Sequence, residues 1–81
     1  MERTMSDLKL DQQVGLRIMG FREQRGYSAE FLAQLVGPPL TGKLIEDYET
    51  GIWPIPVCHL LRISAAIEVS IPVLLSGVSL E

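Results

Sequence analysis

The chain has very little cysteine and histidine. Its 81 residues include one of each, adjacent in sequence at Cys58 and His59. A single cysteine cannot form a disulfide within the chain, and one Cys–His pair supplies too few ligands for a metal site of the usual spacing. We therefore expect no disulfide framework and no bound metal, and we interpret both residues as helix-surface or core side chains.

Long apolar runs are also missing. No run approaches the ~20 residues that a transmembrane helix requires, and the opening stretch MERTMSDLKLDQQ is too polar for a signal peptide. We therefore expect a cytoplasmic protein with no membrane partner. The apolar fraction of 47% is ample for a hydrophobic core and too high for a disordered chain.

Basic charge is scarce. Seven Lys and Arg residues stand against ten Asp and Glu residues, for a net charge of −3. Because DNA affinity depends heavily on the neutralisation of phosphates, bulk charge gives a nucleic-acid function no support. Catalysis has no better basis, since there is no paired acid–base arrangement and GPPLTGK lacks the spacing and the preceding strand of a phosphate-binding loop. We predict that the protein is not an enzyme and takes no cofactor.

The chain does contain a series of short helical patterns separated by clear breaks. Apolar residues recur at three- and four-residue spacing between Gly and Pro turns, which is typical of helices and not of strands. The predicted helices cover about 11–25, 28–36, 41–50, 56–67 and 70–76. The predicted class is all-α, a compact five-helix bundle over residues 11–77, with a flexible arm at 1–10 and a tail at 78–81.

Polar residues mark the predicted helix starts, because a side-chain oxygen can accept a free backbone N–H there. Asp11, Ser28, Thr41 and Ser70 occupy these positions, and Gly26 is placed to end the first helix in a left-handed conformation. The buried stripe predicted for the fourth helix consists of Val57, Leu60, Leu61, Ile63, Ser64 and Ile67.

Four segments, taken in order, resemble the repressor/Cro-type (lambda-repressor-like) helix-turn-helix family. They are VGLRIMGFREQRGYS, SAEFLAQLVG, LTGKLIEDYETG and IPVCHLLRISAAIEVSIPVLLSG, so that the resemblance covers residues 14 to 77. It implies a sequence-specific transcriptional regulator that places its third helix in the major groove of double-stranded operator DNA. It also implies an ion pair between Arg22 and Glu49 that orients the first helix on the third.

The resemblance further implies which positions face DNA: Ala29, Thr41, Gly42, Lys43, Glu46, Asp47 and Thr50. Lys43 can donate to guanine or to phosphate, and Glu46 or Asp47 can accept from cytosine N4. Arg17 and Arg25 are either phosphate contacts or plain surface charges. A homodimer is expected, formed through the last helix and tail at Val73, Leu74 and Val78.

Other features favour a second function. Pro38 and Pro39 lengthen the turn before the third helix, and that helix is acidic. Phe31 and Leu35 stand at positions that the family usually fills with polar residues, and Trp53 follows in the loop after the third helix. Either these residues form a protein interface together with Leu74, or the Pro38-Pro39 turn folds over Phe31 and Leu35 and Trp53 packs on the core. The alternative is therefore a helix-turn-helix-fold interaction module, antitoxin-like or anti-repressor, with weak or no DNA binding.

Overall fold

The computed structural model describes residues 5–76, and it describes side chains for residues 11–76. The described chain consists of five helices joined by short connections and contains no strand. The helices are α1 (Met5–Gln24), α2 (Ala29–Val36), α3 (Gly42–Glu49), α4 (Val57–Ile67) and α5 (Ile71–Leu75). The predicted all-α, five-helix class is confirmed.

The first helix begins earlier than the sequence pattern indicates. Because α1 starts at Met5, Asp11 lies inside the helix and does not cap it, and residues 5–10 are not an arm. The stretch from 5 to 10 lacks apolar periodicity but also lacks Gly and Pro, and a helix that is already nucleated extends readily through Met, Leu and Lys. Residues 1–4 of the predicted arm and the predicted tail at 78–81 lie outside the described residues.

Three of the predicted caps are present. Ser28, Thr41 and Ser70 each accept a hydrogen bond from the backbone N–H three residues further on, at 3.0, 3.1 and 3.4 Å. Gly26, with φ of +73°, follows α1 in the left-handed conformation that glycine adopts without steric cost. These caps set the starts of α2, α3 and α5.

A single core lies between the helices, and α3 packs against both α1 and α2. Ile18, Leu32, Ile45, Ile63 and Ile67 are completely buried. The remaining buried apolar residues are Val14, Ala29, Ala33, Leu40, Tyr48 and Leu74.

The stripe predicted for α4 is too wide. Ile63, Ser64 and Ile67 are buried, whereas Val57 and Leu61 are 72% and 52% exposed. At 3.6 residues per turn, Leu61 projects about 120° away from Ile67, the centre of the buried face. Val57 lies in the exposed first turn of the helix.

Leu74 is also not where the dimer prediction requires it. It is completely buried and anchors the five-residue helix α5 to the core. Arg17 of α1 donates from Nε to the Leu74 carbonyl at 2.9 Å and from Nη2 to the Val73 carbonyl at 2.8 Å. Leu74 is therefore a core residue and cannot contribute to a surface interface. None of the helices in the described part of the chain combines the length and the apolar character needed to cross a membrane.

Candidate nucleic-acid interface

The helix α3 has one face in the core and one in solvent. Ile45, Tyr48 and Glu49 point inward, and each is at most 4% exposed. The Tyr48 hydroxyl forms a hydrogen bond of 2.8 Å with His59 Nδ1, which links α3 to α4. Burial, with a smaller contribution from Cys58, raises the pKa of Tyr48. The inward face therefore holds the helix by apolar packing and by one specific polar contact.

An ion pair joins the end of α3 to α1. Arg22 donates from Nε to Glu49 Oε2 at 2.7 Å and from Nη2 to Oε1 at 3.1 Å, and its Nη1 donates to the Tyr27 carbonyl at 2.8 Å. Glu49 is 2% exposed, and its hydrogen bonds raise the pKa of Arg22. Two parallel charge-assisted bonds restrict direction as well as distance. The predicted Arg22–Glu49 pair is thus present and fixes how α3 is rotated relative to α1.

Gly15 brings α1 and the end of α3 into backbone contact, a feature that the sequence analysis missed. A Cβ atom at position 15 would lie 2.7 Å from the Glu49 carbonyl oxygen and closer still to that of Tyr48. Only glycine permits this approach. One signal in the sequence could have indicated this role: Gly15 lies on the predicted buried face of the first helix, next to Val14 and one turn before Ile18.

The beginnings of α2 and α3 lie side by side. A Cβ atom at Gly42 would be 3.2 Å from the backbone N and Cα of Glu30, so the absence of a side chain at position 42 allows the close approach. A surface groove of about 350 Å³ runs between the two helix starts. Its lining consists of Ser28, Ala29, Glu30, Gly42, Lys43 and Glu46.

Two predicted DNA-facing residues have structural roles, Ala29 in the lining of this groove and Thr41 just before it. The Ala29 side chain is 8% exposed and belongs to the core, since it lies on the inner side of the first turn of α2. The predicted contact of Ala29 with DNA therefore rests on its backbone and not on its side chain. The Thr41 hydroxyl caps α3 by accepting from Leu44 N, so its oxygen is already engaged.

A polar stripe runs along the outward face of α3. Lys43, Glu46 and Thr50 are exposed, and Asp47 is partly covered. Lys43 Nζ lies 3.0 Å from Asp47 Oδ1, with side-chain exposures of 78% and 13% respectively. The Thr50 hydroxyl donates to the Glu46 and Asp47 carbonyls at 3.0 and 3.3 Å, so its proton is not free for a phosphate. Lys43 and Glu46 are therefore the accessible charged groups of the stripe.

Two arginines that could have contacted phosphate are engaged within the fold. Arg17 holds the carbonyls at the end of α5, as described above. Arg62 Nη2 donates to the Val36 and Pro38 carbonyls at 2.8 and 3.0 Å, which closes the end of α2 and the following turn. Neither open interpretation of Arg17, as a phosphate contact or as a plain surface charge, describes its role. Arg25 is partly exposed, and the described residues show no acceptor for its side chain.

A second surface, on the outside of α2, is apolar. Phe31 and Leu35 are 44% and 47% exposed, and we call them the α2 apolar patch. The Phe31 ring meets Tyr27 edge-on, with 5.0 Å between centroids. Trp53, in the connection after α3, is 56% exposed. The Pro38-Pro39 turn therefore does not cover the patch, and Trp53 does not pack into the core.

Together, these features define an all-helical domain in which α1 and α2 support α3 and the polar outward face of α3 is exposed to solvent. Among the described residues, no three or more His, Cys, Asp or Glu side chains are grouped so that they could hold a metal ion.

Comparison of the chain with protein-family models, with curated proteins and with solved structures finds no match.

Proposed function

We propose that this protein is a sequence-specific DNA-binding transcriptional regulator of the repressor/Cro type, with α3 as the helix that enters the major groove. The observation that carries the proposal is the two-sided character of α3. One side is fixed by Glu49, Ile45 and Tyr48, and the other presents Lys43 and Glu46 to solvent. A helix is about 10–12 Å across with its side chains, and the major groove is about 12 Å wide.

The adjacent helix starts support the same orientation. Backbone N–H groups at the beginning of a helix attract phosphate, because they are unpaired and lie at the positive end of the helix dipole. The beginnings of α2 and α3 both open on the 350 Å³ groove beside Gly42. With α3 in the major groove, α2 would cross the DNA backbone and direct its first N–H groups at a phosphate.

The charges of this face make non-specific binding weak. Glu30 and Glu46 line the groove, and Lys43 is shared with Asp47. Each phosphate neutralised contributes about −0.9 to the slope of log affinity against log salt concentration. Among the side chains that the structure describes, Lys43 and Arg25 are the available cations, and from these two we expect a shallow slope of about −1 to −2 per chain. Two copies on a two-fold-symmetric operator would supply the affinity that one chain lacks. We propose that the protein acts in this way in the cytoplasm, as a binding protein and not as an enzyme.

The proposal is tested by selecting duplexes from a random library at moderate salt and then titrating the best duplex against salt. Lys43→Ala should weaken binding at least about fivefold, because a specific base or phosphate contact is worth ~1 kcal/mol or more. Lys9→Ala, the same change on α1, is the matched control. Equal effects of the two substitutions would show that α3 is not at the interface, and a folded protein that enriches no duplex would remove the proposal.

A protein-interaction module, antitoxin-like or anti-repressor, is the second candidate. The exposed α2 apolar patch favours it, since contiguous exposed apolar side chains are typical of protein interfaces. In that case Phe31→Ser and Leu35→Ser would abolish a complex with a protein partner, while Lys43→Ala would leave it intact. Loss of the complex with Lys43→Ala alone would contradict the use of this patch.

A further inference from the structure

We infer that α3 reads a G·C base pair through Lys43 and Glu46, and that Asp47 positions Lys43 for this contact. The inference rests on the proposed function and names the base pair that α3 selects. It is carried by three features of the outward face of α3: an anchored donor, an exposed acceptor beside it, and the groove that both of them line.

The donor is the Lys43 ammonium. Asp47 Oδ1, 3.0 Å away, accepts one of its three protons, which leaves two for a ligand. The Lys43 side chain is 78% exposed, whereas that of Asp47 is only 13% exposed. Asp47 is therefore too covered to meet a base itself, but it restricts a long side chain that would otherwise sample many rotamers. Less conformational entropy is then lost on binding.

The acceptor is the Glu46 carboxylate. Glu46 is exposed, lies three residues after Lys43 and lines the same groove. Residues at this spacing on a helix have Cβ atoms about 5–6 Å apart. An ionised carboxylate only accepts hydrogen bonds. Lys43 and Glu46 thus present two donors and an acceptor side by side.

This arrangement matches the major-groove edge of a G·C pair. Guanine offers two adjacent acceptors, O6 and N7, and cytosine offers the N4 donor beside them. Lys43 can donate to the guanine while Glu46 accepts from the cytosine. In an A·T pair the N6 donor separates the two acceptors, and the thymine methyl group occupies part of the edge. An A·T pair would therefore leave the Lys43 ammonium with one acceptor and bring Glu46 near the thymine O4 acceptor.

The acidic residues also act against wrong sites. Glu30 and Glu46 both line the groove and repel phosphates, so sites that offer Glu46 no donor lose affinity without compensation. Selectivity then comes from a penalty on the wrong base pair as well as from a gain on the right one. The negative charge that weakens general DNA binding thereby increases the ratio of specific to non-specific binding.

The test compares duplexes that differ at one base pair, starting from the sequence that the full chain enriches from a random library. The enriched sequence should contain a G·C pair whose replacement by A·T lowers affinity about tenfold, the range of one good base contact. Glu46→Gln should then shift the preference at that pair towards adenine, because an amide pairs with adenine N6 and N7. Glu68→Gln removes the same charge at an exposed site after α4 and should leave the preference unchanged.

Asp47→Asn tests the positioning role. It keeps the size of the side chain and removes the charge that holds Lys43, so the discrimination between G·C and A·T should fall severalfold while the midpoint of thermal unfolding changes little. An equal loss of affinity for both duplexes would overturn this role, since it would show a general effect on α3.

The remaining outcomes distinguish a failure of the G·C inference from a failure of the proposed function. If DNA is enriched but Glu46→Gln leaves the base preference as it was, the G·C inference is wrong and the proposed DNA function stands. If the folded protein enriches no duplex, both are wrong.

Discussion

Two glycines in α1 allow the packing of α3 to be tested by one substitution made at two positions. Gly15 lies against the backbone of α3, whereas a Cβ atom at Gly20 would meet nothing within 4 Å. Both residues lie inside the same helix. Replacement of either by alanine favours the helix by roughly 0.5–1 kcal/mol through backbone entropy. Any difference between the two variants therefore measures contact with α3.

At Gly15 the contact dominates. The new methyl group would lie 2.7 Å from the Glu49 carbonyl oxygen and closer still to that of Tyr48. Ordinary contact needs ~3.5 Å, so the Glu49 contact alone would separate the helices by about 0.8 Å, and the Tyr48 contact requires more. A carbonyl held in a helix cannot rotate away as a side chain can. Overpacking of this kind costs about 1–3 kcal/mol. We therefore expect Gly15→Ala to be about 1–3 kcal/mol less stable than Gly20→Ala, which should itself raise the free energy of unfolding by about 0.5–1 kcal/mol.

Thermal and urea unfolding followed by circular dichroism would measure both variants. One kcal/mol corresponds to about 4–8 °C in the melting temperature of a domain of this size, so the two variants should differ by roughly 4–24 °C. If Gly15→Ala is as stable as Gly20→Ala, α1 and α3 are not in backbone contact, and the account of how α3 is held is refuted.

Three further predictions concern the other supports of the fold. Glu49→Ala should lower the free energy of unfolding by ~3–5 kcal/mol, because it leaves Arg22 unpaired at a largely buried site. The control Glu46→Ala should change it by less than about 0.5 kcal/mol. Similar small effects of both substitutions in urea titrations would contradict the orienting role of the Arg22–Glu49 pair. Leu74→Ala should lower the free energy of unfolding by ~2–5 kcal/mol, because it truncates a core side chain, and the loss should not depend on protein concentration. A loss that does depend on protein concentration would indicate that Leu74 lies at an interface between chains. The pKa of Tyr48 is raised in the folded chain, so its contribution to stability is present below the unfolded pKa of about 10 and is lost as pH rises through the folded pKa. Tyr48→Phe should therefore flatten the decline in the free energy of unfolding at alkaline pH. An unchanged decline would contradict the burial of the phenol.

Local chemistry could be predicted from the sequence where one residue determines it. Ser28, Thr41 and Ser70 cap their helices because a hydroxyl just before a helix finds the same free N–H wherever it occurs. The pair between Arg22 and Glu49 followed from the resemblance, which supplied a distance that the sequence alone does not contain.

Features that depend on the packing of one helix on another could not be predicted in this way. Leu74 was interpreted as a surface residue because α5 is apolar nearly throughout, so periodicity could not indicate its inward side. The structural role of Arg17 depends on the placement of the end of α5 beside α1. No prediction was made for Gly15, and only the position of α3 shows that no larger residue fits there. The anchoring of Lys43 by Asp47 was within reach, since oppositely charged residues four apart on a helix commonly pair.

The geometry of the polar stripe depends on contacts between α3 and the rest of the fold. Gly15 lies against the end of α3, and Gly42, at the start of α3, lies against the start of α2. An isolated helix of eight residues is far shorter than the ~12–15 residues at which helices become even marginally stable in water. A synthetic peptide with the sequence of α3 would therefore lose the geometry of Lys43 and Glu46 altogether. The stripe exists only while the other helices hold it, so heating the protein should abolish ligand binding and tertiary structure at the same temperature.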